Sequence, residues 1–498
     1  MVENRSFVTV LALFFGSLIV SGLLLNIFSL FKPWIVLLLG LALAGLILWH
    51  FKDKIILPGR NELVLLIITL AISLGMLVIN KFPFSDFWWY HAKNWFIVNY
   101  LLDMGKIIAW IPFWHFGYPL LQMYGPGSHI IAVLATKILG IPVFYGGIIT
   151  NIIAYVLLIL AFYAFVSKHL EKKLALFSAV IVAISPRLFN EVFIQGHYPN
   201  LLALAFGLLG LSFFNEEDKK SRMLFAIFMF LSLITHFSFF TILLFAAAIS
   251  LILLRKFKDY KKLARFIIPI MLAGFWLLPA IVEARYWHGT VPGPNPLIIY
   301  LLSFGPFLLL ALYGMYVMYK NKMDYILAFS ISFIILSLLP VFLFPVLPEV
   351  IRNILQKLFV DTFKSTVTAS IFLVVPIAVG IKEIIKHTRY RKLGYLLVGL
   401  FVAFSLYSNY VYARQDAINV VQFNKEYYKD NSYTQLYLNN YAAIKKTLYS
   451  NDAIYNLDPI FGSMLFNAFV ASGPPIPAPK RNLGINREDY LKYLKDNN

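Results

Sequence analysis

The 498-residue sequence contains no cysteine, so a disulfide, a thiolate nucleophile and a cysteine-ligated zinc site are all excluded. Charged residues are also scarce, at 13% of the chain, which is about half their share in a typical soluble domain. In their place, 60% of the residues are hydrophobic, and the mean hydropathy is +0.75. These values indicate a protein whose helices are solvated by lipid.

Motifs for energy coupling and for metal binding are missing as well. No G-x-x-x-x-G-K-[ST] loop occurs, so the sequence offers no evident ATP site. No ionisable residue lies deep within an apolar run, although transporters coupled to ions or protons usually carry such residues near the membrane midplane. No H-x-x-x-H or D-x-D spacing is present either. We therefore predict no metal-ligand residues. The one cofactor that the sequence leaves open is a divalent cation.

Apolar runs long enough to cross the hydrocarbon core of a membrane recur from Phe7 to Tyr412. The pattern predicts an all-α polytopic membrane protein, a bundle of about thirteen transmembrane helices. Counting the short run 128–140 as a span would put SKHLEKK and the next basic loops outside, so we interpret it as a re-entrant or interfacial helix. The predicted spans are 7–31, 33–51, 62–80, 143–166, 174–185, 199–214, 222–236, 237–254, 264–282, 297–319, 324–345, 367–382 and 393–412.

Lys and Arg are divided unevenly between the two sides of this bundle. With the N-terminus inside, the inner segments carry 23 Lys and Arg in 57 positions, whereas the outer segments before the tail carry 10 in 111. Because basic residues concentrate in cytoplasmic loops, this asymmetry predicts an inside N-terminus and an outside C-terminus in the cell membrane. The same topology accounts for the net charge of +19, so nucleic acid is not expected as a partner.

The chain divides into three parts on this topology. Residues 1–61 form two additional N-terminal spans, and residues 62–412 form the transmembrane core with a long first outer loop, 81–142. Residues 413–498 form a C-terminal tail on the outer face. The outer loops are long and rich in aromatic residues and histidine, so we expect the active surface on that side.

The first outer loop opens with FPFSDFWWYHAKNWF, residues 82–96. If residues 85–99 are helical, His91 lies on an aromatic face that anchors the helix at the membrane interface. The opposite face then carries residues spaced at i, i+4, i+7 and i+8, which are Asp86, Tyr90, Lys93 and Asn94. Asp86 is either the N-cap of this helix or a general base in a partly desolvated site.

Several outer segments contain the residue types that bind phosphate, which is recognised by Arg forks and Lys charges. The segment SPRLFNEVFIQGHYPN, 185–200, places an Arg, a Glu, a His and a Tyr close together, and His236 lies where two predicted spans meet at the same face. The candidate residues for binding a substrate or its phosphate are His91, Arg187, Glu191, His197, Tyr198, His236, Arg285, His288, Arg352 and Lys364.

The position of Asp86, just after an early span and at the start of a long first outer loop, resembles the GT-C glycosyltransferases. The SP-R…N…GHYPN segment and the TH pair in a later span are similar to a prokaryotic integral-membrane family labelled 6-pyruvoyl-tetrahydropterin synthase-related, over about residues 62–412. The resemblance implies a GT-C-like fold, a polyprenyl-phosphate-linked sugar donor, and Asp86 as the base that activates an acceptor hydroxyl. It does not extend to pterin chemistry, because no soluble fold of that type fits this chain.

The sequence therefore predicts an integral-membrane glycosyltransferase with Asp86 as its catalytic residue. Its partners would be a lipid-linked sugar donor, membrane lipids, and a glycan, lipid or protein acceptor. One alternative is a flippase or transporter of lipid-linked saccharides, which the number of spans favours and their apolar interiors disfavour. Another is a noncatalytic scaffold, which would leave the histidines and arginines of separate outer loops unexplained.

Overall fold

The computed structural model describes residues 7–52, 59–80, 90, 93–94, 97–111, 118–120, 125–283, 296–343, 346 and 362–427. The α-helices in this part of the chain are α1 Phe7–Ile27, α2 Pro33–His50, α3 Arg60–Asn80, α4 Gly127–Leu139, α5 Val143–Val166, α6 Lys172–Ile184, α7 Pro186–Phe189, α8 Tyr198–Ser212, α9 Lys219–Thr235, α10 Phe237–Leu253, α11 Ile267–Leu272, α12 Gly274–Glu283, α13 Pro296–Phe304, α14 Phe307–Lys320, α15 Asp324–Leu343, α16 Thr362–Lys386 and α17 Arg391–Tyr427.

Shorter elements connect these helices. They are the π-helical segments Ile97–Leu101 and Asn190–Gln195, the 3-10 helices Phe257–Phe266 and Thr388–Tyr390, and an antiparallel pair of strands, β1 Ala109–Ile111 and β2 Tyr118–Leu120. The last helix runs to Tyr427, beyond the predicted start of the tail at 413, and the rest of the tail lies outside the described residues.

Each of the thirteen predicted spans overlaps one or more helices of the described chain. Seven of the described helices are long and apolar enough to cross a membrane, or nine if each of two bent helix pairs counts as one span. The chain is therefore a polytopic α-helical membrane protein. Several of the remaining helices are short, so the number thirteen stays a prediction.

The predicted re-entrant or interfacial helix is α4, which has 13 residues. Every residue from Gly127 to Leu134 is buried, and α4 packs against α1, α5 and α8. An interfacial helix would expose one face to headgroups along its whole length. The burial of α4 therefore favours the re-entrant alternative.

Two predicted spans differ from the structure in shape. The run 264–282 falls on the end of the 3-10 helix Phe257–Phe266 and on two helices, α11 and α12. The run 297–319 is expected to be a single helix, but α13 and α14 meet at an angle of 96°. The chain turns at Gly305, whose φ of +47° lies in the left-handed region, and Pro306 caps the next helix. Because proline has no backbone N–H, it cannot extend the hydrogen bonding of the helix before it.

The segments predicted to lie inside meet one another at one end of the bundle. This basic end comprises 59–62, 167–171, 215–222, 255–266, 320–325 and 382–392. Direct contacts join these segments, namely Lys168 with Glu216, Arg265 with Glu217, Tyr325 with Asn215 and Lys382 with Glu171. Asn61 contacts Tyr163 in the last turn of α5, which leads into 167–171. The grouping agrees with the predicted alternation of loops between the two sides of the bundle.

The core is held together by close helix packing, and the approach of α14 to α16 is among the tightest. A Cβ atom added to Gly314 would overlap the carbonyl oxygen of Pro376, and one added to Gly380 would lie 2.9 Å from the carbonyl oxygen of Leu310. Small residues at such crossings let helix backbones approach closely in membranes. The two glycines thus set the distance between α14 and α16.

We expect the substitution Gly314→Ala to lower the free energy of unfolding by about 1–3 kcal/mol, because the added methyl forces the two backbones apart. The matched control is Gly399→Ala in α17, where an added Cβ meets no atom within 4 Å. Melting temperatures of the purified proteins in one detergent test this. A Gly314→Ala protein as stable as the Gly399→Ala protein would contradict the packing described here.

Candidate polar site

The segment from Ser185 to Tyr198 turns the chain back into the bundle at the end opposite the basic end. Ser185 is extended before Pro186, as residues before proline usually are, and α7 is bent by 50° from α6 together with the π-helical segment. Gly196 ends this segment with a φ of +67°, a conformation that glycine adopts without steric cost. The next residue, His197, is the N-cap position of α8.

Glu191 is the centre of the polar contacts in this segment. Its side chain is fully buried, with Oε1 3.0 Å from Nη2 of Arg187 and Oε2 2.7 Å from Nδ1 of His197. The side chain of Asn200 also hydrogen-bonds to the carboxylate. Because a buried carboxylate requires charged or hydrogen-bonding partners, Glu191 acts as the counter-ion that orients Arg187 and His197.

A second set of contacts comes from the first predicted outer loop. Nδ2 of Asn94 donates a hydrogen bond to the Tyr198 hydroxyl at 2.8 Å. With the amide in this orientation, Oδ1 of Asn94 accepts from Nδ1 of His129 at 2.7 Å. Asn94 therefore bridges the beginning of α4 and the beginning of α8, two elements that are distant in sequence.

Tyr90 joins the two sets of contacts. Its ring centroid lies 5.1 Å from that of Tyr198, 6.0 Å from that of His129 and 6.1 Å from that of His197. Nζ of Lys93 is 5.8 Å from the Tyr90 centroid, within the range of a cation–π interaction, and Lys93 is only 5% exposed. The aromatic contacts thus connect the first outer loop with the Glu191 segment.

His236 lies where α9 ends and α10 begins. Its backbone is extended, with φ −162° and ψ 106°, which breaks the helical hydrogen bonding at this one residue. Its imidazole is buried, and the charges of Lys364 and Lys93 and the ring of His197 are close enough to act on it electrostatically. Lys364, in the first turn of α16, is half-buried.

These residues form one site, which we call the polar cluster. Helices α4, α8 and α10 all begin at it, at Gly127, Tyr198 and Phe237, so the positive ends of three helix dipoles point toward the same region. Helix α8 ends at the basic end, where Lys168 donates to the carbonyl of Ser212, so the cluster and the basic end lie at opposite ends of the bundle. The polar cluster comprises Tyr90, Lys93, Asn94, His129, Arg187, Glu191, His197, Tyr198, His236 and Lys364.

The structure brings together six of the residues predicted from the sequence, which are Arg187, Glu191, His197, Tyr198, His236 and Lys364. Five others lie outside the described residues, which are Asp86, His91, Arg285, His288 and Arg352. The predicted set omits Asn94, His129, Lys93 and Tyr90. Helical spacing did place Tyr90, Lys93 and Asn94 on the face of Asp86, and all three are buried in the cluster.

A metal ion finds no ready site among the described residues. They contain no group of three His, Asp or Glu side chains that could hold a metal ion. Glu191, the carboxylate of the cluster, already contacts Arg187 and His197 through its two oxygens. The divalent cation that the sequence leaves open therefore stays an expectation, and the described part of the polar cluster offers it no set of three ligands.

Comparisons with known proteins give only distant matches. No protein-family profile matches the sequence, and no curated protein matches it either, so the resemblance to the family labelled 6-pyruvoyl-tetrahydropterin synthase-related stays an expectation. Among solved structures, the oligosaccharyltransferase from Archaeoglobus fulgidus in the apo form is similar over 88% of this chain and 68% of that chain, with 15% identity and a TM-score of 0.47.

Further structures of the Archaeoglobus fulgidus enzyme are similar to the same degree. The complex of oligosaccharyltransferase AglB with an inhibitory peptide and a dolichol-phosphate matches over 90% of this chain and 69% of that chain, with 14% identity and a TM-score of 0.46. The complex with Zn and sulfate matches over 87% and 66%, with 13% identity and a TM-score of 0.47. Because the identities and TM-scores are this low, we assign no function to the chain from these similarities.

Proposed function

We propose that the chain is an integral-membrane glycosyltransferase that moves a sugar from a polyprenyl-phosphate-linked donor to an acceptor hydroxyl. The polar cluster is the observation that supports this most strongly. It gathers cationic and imidazole side chains and three helix N-termini in a bundle of apolar helices, and these groups favour the binding of a phosphate.

The donor phosphate is bound by the cations of the cluster in this proposal. Arg187 offers a planar fork, Lys93 and Lys364 offer point charges, and His236 adds an imidazole. Glu191 does not contact the substrate, because both of its oxygens hold Arg187 and His197 in place. Arg285, His288, Arg352 and His91 remain candidates for the rest of the phosphate site.

Asp86 is the proposed general base. The helical spacing predicted from the sequence would place it on the face of Tyr90, Lys93 and Asn94, three residues of the polar cluster. It accepts the proton of the acceptor hydroxyl as that oxygen forms a bond to the anomeric carbon. The bond between the anomeric carbon and the phosphate oxygen breaks, and the lipid phosphate leaves with the electron pair. A phosphate is a good leaving group, so a strong general acid is not required.

The polar cluster faces the outside of the cell membrane in this proposal, and the basic end faces the cytoplasm. The assignment rests on the excess of Lys and Arg in the segments of the basic end. The bundle 62–412 is the catalytic core, of GT-C type, with 1–61 as two added spans and 413–498 as an outer tail. The acceptor is a glycan, lipid or protein on the outer face, and its product belongs to a cell-envelope glycan.

The proposal is tested by incubating the purified protein with sugars linked to polyprenyl monophosphate or polyprenyl diphosphate, together with an acceptor mixture. We expect release of the lipid phosphate and a glycosylated acceptor, both detected by mass spectrometry. The protein is also placed in proteoliposomes with a fluorescent lipid-linked saccharide, whose accessibility to a membrane-impermeant quencher reports transbilayer movement. If the fluorescent saccharide crosses the bilayer but no sugar is transferred from either donor, the protein is a flippase and the proposed enzyme activity is rejected.

A further inference from the structure

The 3-10 helix Phe257–Phe266, at the basic end, has three chemically distinct faces. Side chains three residues apart eclipse one another in a 3-10 helix, so its sequence FKDYKKLARF forms three columns. One column contains Asp259, Lys262 and Arg265, and another contains Lys258 and Lys261. The third is apolar, with Tyr260, Leu263 and Phe266 among its members.

The first column is tied to the protein itself. Lys262 lies 3.3 Å from the carboxylate of Asp259 and 3.8 Å from that of Glu217. Arg265 pairs with Glu217 and donates to the carbonyl oxygen of Phe214 at 2.7 Å. These contacts fix the rotation of the 3-10 helix, so the other two columns have defined directions.

The apolar column changes from buried to exposed along the helix. Phe266 is 1% exposed and packs edge-on against Phe225, with 5.0 Å between the ring centroids. Tyr260, two turns earlier, is 63% exposed. The column therefore anchors one end of the helix in the bundle and presents a large aromatic ring outside it at the other end.

The remaining column presents two exposed lysines beside a lipid-facing surface. Lys258 and Lys261 are both exposed. Helix α11 follows directly, and its Ile268 and Met271 are exposed apolar side chains of the kind that face lipid tails. The lysines and Tyr260 thus stand next to an exposed apolar surface, a combination typical of the membrane interface, where Trp, Tyr and Lys are commonly found.

We propose that this 3-10 helix binds the anionic headgroup of a phospholipid in the leaflet at the basic end. Lys258 and Lys261 contact the headgroup phosphate, and the exposed Tyr260 ring lies at headgroup level beside them. The ion pairs of Lys262 and Arg265 hold the helix in the orientation that this binding needs. The site is separate from the polar cluster and does not depend on the proposed sugar transfer.

Native mass spectrometry of the full chain in a neutral detergent tests this site. The protein is titrated with dioleoylphosphatidylglycerol and, separately, with dioleoylphosphatidylcholine. Removing both lysines, in Lys258→Gln/Lys261→Gln, should weaken phosphatidylglycerol binding by about 25-fold, since each lysine near an anionic surface contributes a factor of about five. Phosphatidylcholine binding should not change, and neither should the melting temperature.

The matched control is Lys320→Gln/Lys322→Gln, which removes two exposed lysines from the same end of the bundle outside the 3-10 helix. This variant should retain wild-type binding of phosphatidylglycerol. If both double variants lose phosphatidylglycerol binding equally, the lipid responds to the total positive charge at this end of the bundle, and the specific site is rejected. Competition by millimolar inorganic phosphate would also overturn the proposal, because it would identify a free phosphate site instead of a lipid site.

Discussion

The substitution Asp86→Asn is expected to lower sugar transfer by about 10²–10⁴-fold, which is the usual contribution of a general base. Asparagine keeps the size of the side chain but cannot accept the proton of the acceptor hydroxyl. The donor phosphate is bound by other residues in the proposed site, so donor binding should remain near its wild-type value. Initial rates at saturating donor, together with a separate donor-binding measurement, distinguish the two effects.

Asp103→Asn is the control for this prediction, because Asp103 is an exposed carboxylate in the same predicted outer loop. Its variant should transfer sugar at the wild-type rate. If Asp86→Asn and the wild-type protein turn over equally, Asp86 is not the base. If Asp86→Asn is inactive and also fails to bind donor, Asp86 serves to position the loop or the donor.

The substitution Glu191→Ala is expected to destabilise the fold by about 3–5 kcal/mol, because it removes a fully buried carboxylate from Arg187 and His197. Arg187 and His197 both lose their buried counter-ion in this variant, and the missing part of the Glu191 side chain leaves a void in the core. The apparent melting temperature in detergent should fall by about 5 °C or more.

Glu217→Ala provides the comparison, since Glu217 also pairs with an arginine but its side chain is 65% exposed. Exposed ion pairs contribute little to stability, so this variant should melt close to the wild-type protein. Equal melting temperatures for the two variants would show that Glu191 is not the counter-ion of the site. A second check is the double substitution Arg187→Met/Glu191→Leu, which should recover part of the loss because it removes both charges.

Much of the helical framework could be predicted from sequence, because hydropathy is a local property that neighbouring residues share. The span predicted at 143–166 coincides with α5, and the short run at 128–140 is the buried helix α4. The bend between α13 and α14 was missed even though Gly305 and Pro306 mark it locally. A continuous apolar run on both sides of the pair outweighed that signal.

The site was less accessible to sequence reasoning, since its parts come from distant segments. Arg187, Glu191 and His197 could be grouped because they occur within one short loop. The hydrogen bonds that Asn94 makes to His129 and Tyr198 span 35 and 104 residues, and no spacing rule links such positions. Helical periodicity placed Asn94 on the face of Asp86, but the partners of that face depend on how the helices pack.

The central claim, that the polar cluster holds a lipid-linked phosphate, is tested most directly by binding. The affinity of the purified protein for a polyprenyl monophosphate is compared with its affinity for the uncharged polyprenol of the same length. We expect the phosphate to bind about 10- to 100-fold more tightly, the range for charge-assisted hydrogen bonds, and Lys364→Gln to remove much of that preference. Lys137→Gln, at an exposed lysine of α4, should leave it unchanged. Equal affinity for the two lipids, or equal losses in the two variants, would contradict the account.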